Sequence, residues 1–251
     1  MWRDGSDLHF HLLPGVDDGP AELADSLELA RAALADGSST VVATPHVRGD
    51  FVTDVAGLVE RTSELRAALR RERIPLEVLD GGELGHDLVP QLDQDELECL
   101  AQGPPGARWL LLEAPWGGYD DLFHSAAAEL RERGFAVVIA HPERSADAEL
   151  DSAAGLRREL AAGSMAQLNA QSLSGAHGVG AERAAFQLLG EGLITLVASD
   201  AHGPTRPPSL CAAFRTLVQH GISPAAARSL THDAPSRLLA RGVARLHPQA
   251  A

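Results

Sequence analysis

Short apolar segments alternate with longer amphipathic segments along the whole of this sequence. The apolar runs are mostly continuous, which is typical of parallel strands covered by helices on both faces. Several of the helical patterns end at a glycine, the residue that best tolerates a left-handed C-cap. Strands are predicted at 7–12, 39–44, 76–79, 109–112, 135–140, 165–170 and 194–198, and helices at 21–36, 54–73, 120–133, 153–162, 181–191, 209–220 and 224–241, with an irregular stretch at 88–99.

Seven β/α units in succession are compatible with two architectures. One is an incomplete or distorted barrel, and the other is an open, doubly wound sheet. Periodicity alone does not separate them. No linker or low-complexity segment divides the 251 residues, and single β/α barrels often contain about 250 residues. We therefore predict one domain over the whole chain, with a short flexible tail at 243–251.

Charge and cysteine content exclude several classes of protein. The net charge of −14, from 35 acidic and 21 basic residues, argues against a nucleic-acid-binding surface. Cys99 and Cys211 are far apart, which fits a reducing compartment rather than a disulfide framework. No segment has the about 20 apolar residues needed to span a bilayer, and the N-terminus lacks the features of a signal peptide. We therefore expect a cytoplasmic protein without membrane insertion.

Ionisable residues follow six of the seven predicted strands, at the point where each strand ends. Because parallel strands direct their carboxyl ends to one edge of the fold, side chains at these positions converge there. A single such residue would carry little information, whereas six strands ending in this way indicate a functional site. The residues are His9 and His11, His46, Glu83, Glu113, His141, and Asp200 with His202.

His9 and His11 are two positions apart, which places both imidazoles on one face of a strand and allows them to share a metal ion. Asp17 and Asp18 follow them, just before a helix start at Pro20. One of these two aspartates is expected to form a turn, and the other is available as a ligand.

The carboxylates Glu83, Glu113 and Asp200 each end an apolar run. Burial there is costly unless a cation or hydrogen-bond donors are present. For each carboxylate alone, an ion pair is the alternative explanation, with Arg144 and Arg206 as the main candidate partners. Histidine and carboxylate ligands without thiolates favour Zn, Mn or Fe over a structural zinc site.

The order of these motifs resembles a known family. Asp-Leu-His-Phe-His at 7–11, Ala-Thr-Pro-His at 43–46, Gly-Gly-Glu at 81–83, Leu-Leu-Leu-Glu-Ala-Pro at 110–115, Ile-Ala-His-Pro-Glu-Arg at 139–144 and Ala-Ser-Asp-Ala-His at 198–202 are similar to motifs of the PHP-domain protein-tyrosine phosphatases of bacterial capsule and exopolysaccharide clusters. The resemblance covers residues 7–240, which we take as the core of the domain.

The resemblance implies a distorted (β/α)7 barrel that holds two or three divalent ions, with manganese favoured and iron or zinc as alternatives. It also implies hydrolysis of phosphotyrosine on a bacterial tyrosine kinase that controls polysaccharide export. Arg144 and Arg206 match the phosphate-binding arginines of the family, and Asp18 rather than Asp17 matches a ligand. The implied metal ligands are His9, His11, Asp18, His46, Glu83, Glu113, His141, Asp200 and His202.

Two other functions compete with the tyrosine phosphatase. One is a PHP-type phosphoesterase acting on a small phosphomonoester such as histidinol phosphate, and the other is a non-catalytic, metal-stabilised binding module. A thiol-based phosphatase is excluded, because it needs an Arg six residues after its Cys, and Pro105 and Leu217 occupy those positions. The oligomeric state is left open.

Other aromatic and imidazole side chains are interpreted as packing or surface groups. His86 and His177 are the exceptions, since both lie in segments that could reach the mouth of the fold, and Trp116 could line the substrate entrance. The remaining histidines are His124, His220, His232 and His247.

Overall fold

The computed structural model describes residues 4–150 and 153–243. The seven predicted strands are all present, with boundaries that differ by at most two residues from those expected, and two additional two-residue strands occur. The strands are β1 (Gly5–Phe10), β2 (Ser38–Ala43), β3 (His46–Val47), β4 (Glu77–Leu79), β5 (Glu83–Leu84), β6 (Trp109–Glu113), β7 (Ala136–Ala140), β8 (Met165–Asn169) and β9 (Leu196–Ala198).

Helices connect the strands and cover the outside of the fold. Three short 3-10 segments, Val89–Gln91, Pro142–Arg144 and Ala170–Ser174, follow strand ends or precede helices. The helices are α1 (Leu23–Asp36), α2 (Ala56–Arg71), α3 (Gln94–Leu100), α4 (Asp121–Glu132), α5 (Ala146–Leu150), α6 (Ala154–Ala161), α7 (Val179–Gly190), α8 (Leu210–Gln219), α9 (Pro224–Arg228) and α10 (Ala234–Arg241).

The strands form two all-parallel sheets, with orders β1-β2-β4 and β3-β5-β6-β7-β8-β9. Two short connections join the sheets. Only two residues separate β2 of the first sheet from β3 of the second, and only three residues separate β4 from β5. The ring closes between its first and last strands, where His11 N donates to Ala201 O at 2.9 Å and Asp200 N donates to His9 O at 2.9 Å. The distorted barrel is thereby confirmed, and the open sheet was the wrong alternative.

A proline and a glycine explain the interrupted strands. Pro45 has no N–H to give to a strand ladder, and its carbonyl instead accepts from Glu83 N at 3.0 Å. A Cβ on Gly81 would lie 2.5 Å from Val42 Cγ1, so only glycine permits this close approach. The interruption brings His46 directly opposite Glu83 in the β3–β5 pairing.

Inside the barrel, apolar side chains lie towards one end of the strands and polar side chains towards the other. Leu111, Val138 and Leu196 belong to one buried cluster with Ala234 and Leu238 of α10. Because side chains two apart share a strand face, residues further along the same faces lie above this cluster. Several of those residues are polar, namely Glu113 on β6 and, on the face of β8 that begins with Met165, Gln167 and Asn169. A second, larger cluster fills the space between the strands and the helices.

Two helical predictions differ from the structure. The expected helix 224–241 consists of α9, a π-helical segment Ser229–Asp233, and α10. Thr231 Oγ1 donates to Ala227 O within it, a contact that bends helices, and Pro235 lacks the N–H that a continuous helix needs. The irregular stretch 88–99 contains α3, which begins with a capping box between Asp93 and Glu96.

The predicted tail at 243–251 lies, apart from Val243, outside the described residues. Among residues 4–150 and 153–243, no helix has the length and apolar character needed to span a membrane.

Candidate metal centre at the carboxyl ends of the strands

The nine residues that the sequence suggests as metal ligands all lie at one end of the barrel. Their side chains form four groups, and within each group one ligand atom per residue lies within 4.8 Å of the others. All nine except Asp18 are buried. The groups are His9, His11 and Asp200; His9, Glu83 and His141; His46, Glu83 and Glu113; and His11, Asp18, His46 and His202.

Two of these residues have a left-handed backbone, which is unusual for residues other than glycine. His141 follows β7 with a φ of 34°, and Asp200 follows β9 with a φ of 52°. Such conformations cost about 1–3 kcal/mol each and concentrate at functional sites. Here each turns the chain sharply at a strand end, so that the side chain lies among the other polar groups rather than continuing along the strand.

The tautomers of His9 and His11 follow from their partners. Gln167 Nε2 donates to Leu168 O at 2.7 Å, so its Oε1, 3.0 Å from His9 Nδ1, accepts a hydrogen bond from that nitrogen. Similarly, the Asp17 carboxylate accepts from His11 Nδ1 at 2.7 Å. In the neutral rings both Nε2 atoms are therefore unprotonated, yet they face each other at 3.2 Å.

Two carboxylates face the same point. Asp200 Oδ1 lies 3.3 Å from the Nε2 atoms of both His9 and His11, and Glu83 Oε2 lies 3.3 Å and 3.5 Å from them. Burial opposes protonation of His11, but its hydrogen bonds to Asp17, Asp200 and Glu83 raise its pKa well above the usual value. Four lone-pair donors around one buried point require a positive charge there, and a divalent cation fits this arrangement.

A second convergence surrounds Asp18 at the solvent edge. Asp18 Oδ1 lies 3.1 Å from His202 Nε2 and 3.4 Å from His46 Nε2. His202 Nδ1 donates to the Asp200 carbonyl at 2.9 Å, which leaves Nε2 with a lone pair that is buried and without a hydrogen-bond partner. Although partial burial opposes ionisation, the neighbouring imidazoles of His202 and His46 lower the pKa of Asp18.

The third convergence is centred on Glu83. Its Oε1 accepts from His141 Nε2 at 2.8 Å, and its Oε2 lies 2.8 Å from His46 Nδ1 without forming a favourable hydrogen bond. Glu113 Oε2 lies 3.9 Å from the same His46 nitrogen. The four groups contain imidazole and carboxylate ligands and no thiolate. This ligand set is suited to ions such as Zn, Mn or Fe.

Arg144 and Arg206 meet at Asp200. Arg144 Nη1 donates to Asp200 Oδ2 at 3.0 Å, and Arg206 Nη2 donates to the same oxygen at 2.7 Å. Arg206 Nη1 also reaches Asp18 Oδ2 at 3.4 Å. The two guanidinium groups therefore flank the ligand groups, where they can bind the oxygens of a phosphate.

Several supporting residues were missed or only partly understood from the sequence. Asp17 does form the predicted turn, since Gly19 N donates to its Oδ1 at 2.9 Å, but its other oxygen holds His11. Gln167 and Asn169 orient His9 and Asp200, with Asn169 Nδ2 donating to Asp200 Oδ2 at 2.8 Å. Both amides end the one predicted strand without an ionisable terminus, and their spacing of two was the available signal.

Arg48 was also missed. Its Nη1 donates to Glu113 Oε2 at 2.7 Å, and its Nε donates to Asp50 at 2.7 Å. Burial opposes its charge, but these carboxylates raise the pKa of Arg48 above its usual value. Arg48 follows the two-residue strand β3, and no sequence pattern distinguishes it from other surface arginines.

The two histidines singled out as exceptions have different surroundings. His177 Nδ1 lies 2.9 Å from Ser172 Oγ, which donates to the buried Glu143 at 2.6 Å. Burial and the charges of Arg144 and Arg206 lower the pKa of His177 to about 4, so it lies within electrostatic range of the mouth. His86 lines a cleft beside Glu113.

The other histidines that the structure describes are structural or peripheral. His124 Nδ1 pairs with buried Glu159 at 2.6 Å, His220 stacks on Phe186, and His232 pairs with Asp233 at 2.9 Å. His247 lies outside the described residues.

A closed parallel β/α barrel with histidine–carboxylate groups and two arginines at its mouth has the arrangement of a metal-dependent hydrolase. A family model for capsular polysaccharide synthesis proteins of the CpsB/CapC type matches residues 6–240, and this chain belongs to that family.

Individual relatives agree with this assignment. The chain is 33% identical over 197 residues to the tyrosine-protein phosphatase YwqE of Bacillus subtilis, covering 78% of this chain and 76% of YwqE. It is 26% identical over 242 residues to the tyrosine-protein phosphatase CpsB of Streptococcus pneumoniae, covering 93% and 97%.

Solved structures show the same relationship. One from work on YwqE and CpsB, described as unique metal-dependent tyrosine phosphatases, matches with a TM-score of 0.83 and 31% identity over 98% of this chain and 99% of that chain. A phosphotriesterase homology protein from Escherichia coli, at 12% identity and a TM-score of 0.63 over 93% and 98%, shares the fold alone.

Proposed function

We propose that this chain is a metal-dependent protein-tyrosine phosphatase whose substrate is a phosphotyrosine protein, a bacterial tyrosine kinase that controls capsular or exopolysaccharide synthesis. The observation that carries the proposal is the meeting of two arginines with four ligand groups at the barrel mouth. The similarity to YwqE and CpsB supports phosphotyrosine as the substrate.

We further propose that two or three divalent ions, with manganese favoured, bind at the four groups. His9, His11, His46 and Glu83 each occur in two groups, which supports neighbouring ions that share ligands. The nine ligands would be those suggested by the sequence. Bound ions of this kind lower the pKa of a water molecule and neutralise charge on a transferring phosphoryl group.

The protein side chains have separate tasks in this proposal. Arg144 and Arg206 bind and orient the phosphate oxygens through charge-assisted hydrogen bonds. Asp17 and Gln167 hold the His11 and His9 rings with Nε2 directed to the centre, and Asn169 orients Asp200. A tyrosine phenol has a pKa of about 10, against about 15.7 for water, so its departure needs little assistance from a general acid.

Comparison of three phosphate esters tests the proposed substrate. With metal-loaded protein, we expect kcat/KM for a phosphotyrosine peptide to exceed that for histidinol phosphate by about 10²-fold or more, since specific contacts to the ester group discriminate to this degree. A phosphoserine peptide serves as the control for peptide binding. Faster turnover of histidinol phosphate would favour the metabolite phosphatase, and no turnover of any ester would favour the binding module.

Removal of one arginine tests the phosphate-binding role. In Arg206→Ala, we expect kcat/KM for the phosphotyrosine peptide to fall by roughly 10²-fold, the effect of losing one preorganised donor. Metal content should stay unchanged, because Arg206 contacts ligand carboxylates but is not itself a ligand. Arg183→Ala, an exposed arginine on α7, is the matched control. Unaltered kinetics in Arg206→Ala would mean that Arg206 only pairs with Asp18 and Asp200.

A further inference from the structure

An exposed indole lies beside the candidate metal centre. Trp116 follows Glu113 in the connection between β6 and α4, and 56% of its surface is exposed. Tryptophan, which combines a large apolar ring with a polar N–H, is enriched at interfaces. The position therefore raises the question of what Trp116 contacts during the reaction.

The indole contacts Arg144, one of the two arginines proposed to bind the phosphate. Arg144 Cζ lies 4.5 Å from the centre of the Trp116 ring, a cation–π contact. Two hydrogen bonds join the same segments, because Ala146 N donates to Trp116 O at 3.0 Å and Ser145 Oγ donates to Pro115 O at 2.8 Å. The orientation of Trp116 is thus coupled to that of Arg144.

A cleft of about 170 Å³ lies next to this indole. Its lining includes Trp116, Pro115, Arg48 and His86. It also includes Glu113, which belongs to one of the ligand groups. The cleft therefore reaches the edge of the metal centre. Its volume suits an aromatic ring, since a cavity of about 150 Å³ holds benzene. Its lining offers an indole and a guanidinium, both of which pack well against aromatic faces.

We propose that this cleft binds the aryl group of a phosphate monoester, and that Trp116 determines the preference for aromatic over aliphatic esters. The inference rests on the proposed phosphatase function. Arg144 packs against the indole, so a phosphoryl group bound by Arg144 would lie close to Trp116, and its ester oxygen could direct an attached phenyl ring into the adjacent cleft. An aliphatic ester bound in the same way would leave the exposed part of the indole in solvent.

Binding of two phosphonates, which cannot be hydrolysed at a P–O ester bond, tests the proposal. Dissociation constants of phenylphosphonate and methylphosphonate would be measured by calorimetry with the metal-loaded wild type, Trp116→Ala and Trp116→Phe. In the wild type, phenylphosphonate should bind about tenfold more tightly than methylphosphonate, the size of one aromatic contact. Trp116→Ala should lose this difference, because only the phenyl group contacts the indole, and Trp116→Phe should retain most of it.

Leu122→Ala, which removes another exposed apolar side chain, at 70% exposure on α4, is the matched control and should behave as wild type. Equal weakening of both phosphonates in Trp116→Ala would overturn the proposal, because Trp116 would then only position Arg144. A wild type without preference for phenylphosphonate would also overturn it. Failure of the proposed function is recognised separately, by the absence of phosphotyrosine hydrolysis in the wild type.

Discussion

Replacing Glu83 with Gln is expected to reduce turnover of a phosphotyrosine peptide by roughly 10³-fold or more, equivalent to about 4 kcal/mol of transition-state stabilisation. Glu83 is fully buried and belongs to two of the four ligand groups. The substitution removes one negative charge and directs amide hydrogens at atoms that face a cation. Both the affinity for metal and the geometry of its neighbours should therefore suffer.

The measurement combines steady-state kinetics with metal analysis of the purified variant. We expect a lower metal content together with the loss of turnover, while circular dichroism confirms that the barrel still folds. Glu60→Gln makes the same chemical change at an exposed position on α2, and it should match the wild type in both measurements. A Glu83→Gln variant with wild-type metal content and turnover would show that Glu83 has no part in the centre.

The location of the candidate centre was predictable because topology determines where strand ends lie. Once parallel strands are recognised, residues such as Glu113 and His141 must share one edge of the fold, whichever β/α architecture is formed. The i, i+2 spacing of His9 and His11 likewise follows from strand geometry alone. The sequence therefore carried enough information to place these residues together, although it did not determine the distances between them.

Barrel closure was not predictable from periodicity, since it depends on long-range contacts. The closing hydrogen bonds join His9 to Asp200 and His11 to Ala201, which lie near opposite ends of the chain. The strand interruptions depend on Pro45 and on the lack of a side chain at Gly81, whose role is apparent only when Val42 is known to lie opposite.

The residues that orient the ligands were also hard to identify. Asp17 precedes a glycine and a proline, and a turn accounts fully for an aspartate in such a sequence. Only the fold shows that its second oxygen holds His11. Gln167 is uncharged, so burial in a strand gives no electrostatic signal, and its role depends on the orientation imposed by the Leu168 carbonyl.

Cysteine chemistry offers the main alternative mechanism for a tyrosine phosphatase, and the structure makes it unfavourable. Cys211 Sγ donates to the Asp36 carbonyl at 2.7 Å, and burial and the Asp36 charge raise the pKa of its thiol. A protonated thiol is a poor nucleophile. Cys99 is an exposed cysteine on α3, and α3 contributes no residue to the ligand groups.

The most direct test of metal dependence is hydrolysis of a phosphotyrosine peptide before and after exhaustive chelation, followed by addition of manganese. We expect chelation to abolish turnover and manganese to restore it. The reason is that the lone pairs of His9 Nε2, His11 Nε2 and the neighbouring carboxylates converge on one point that requires a cation. The double variant Cys99→Ser, Cys211→Ser should keep near-normal turnover, since serine can replace the Cys211 hydrogen bond. Activity that survives chelation but is lost with the two cysteines would contradict the account.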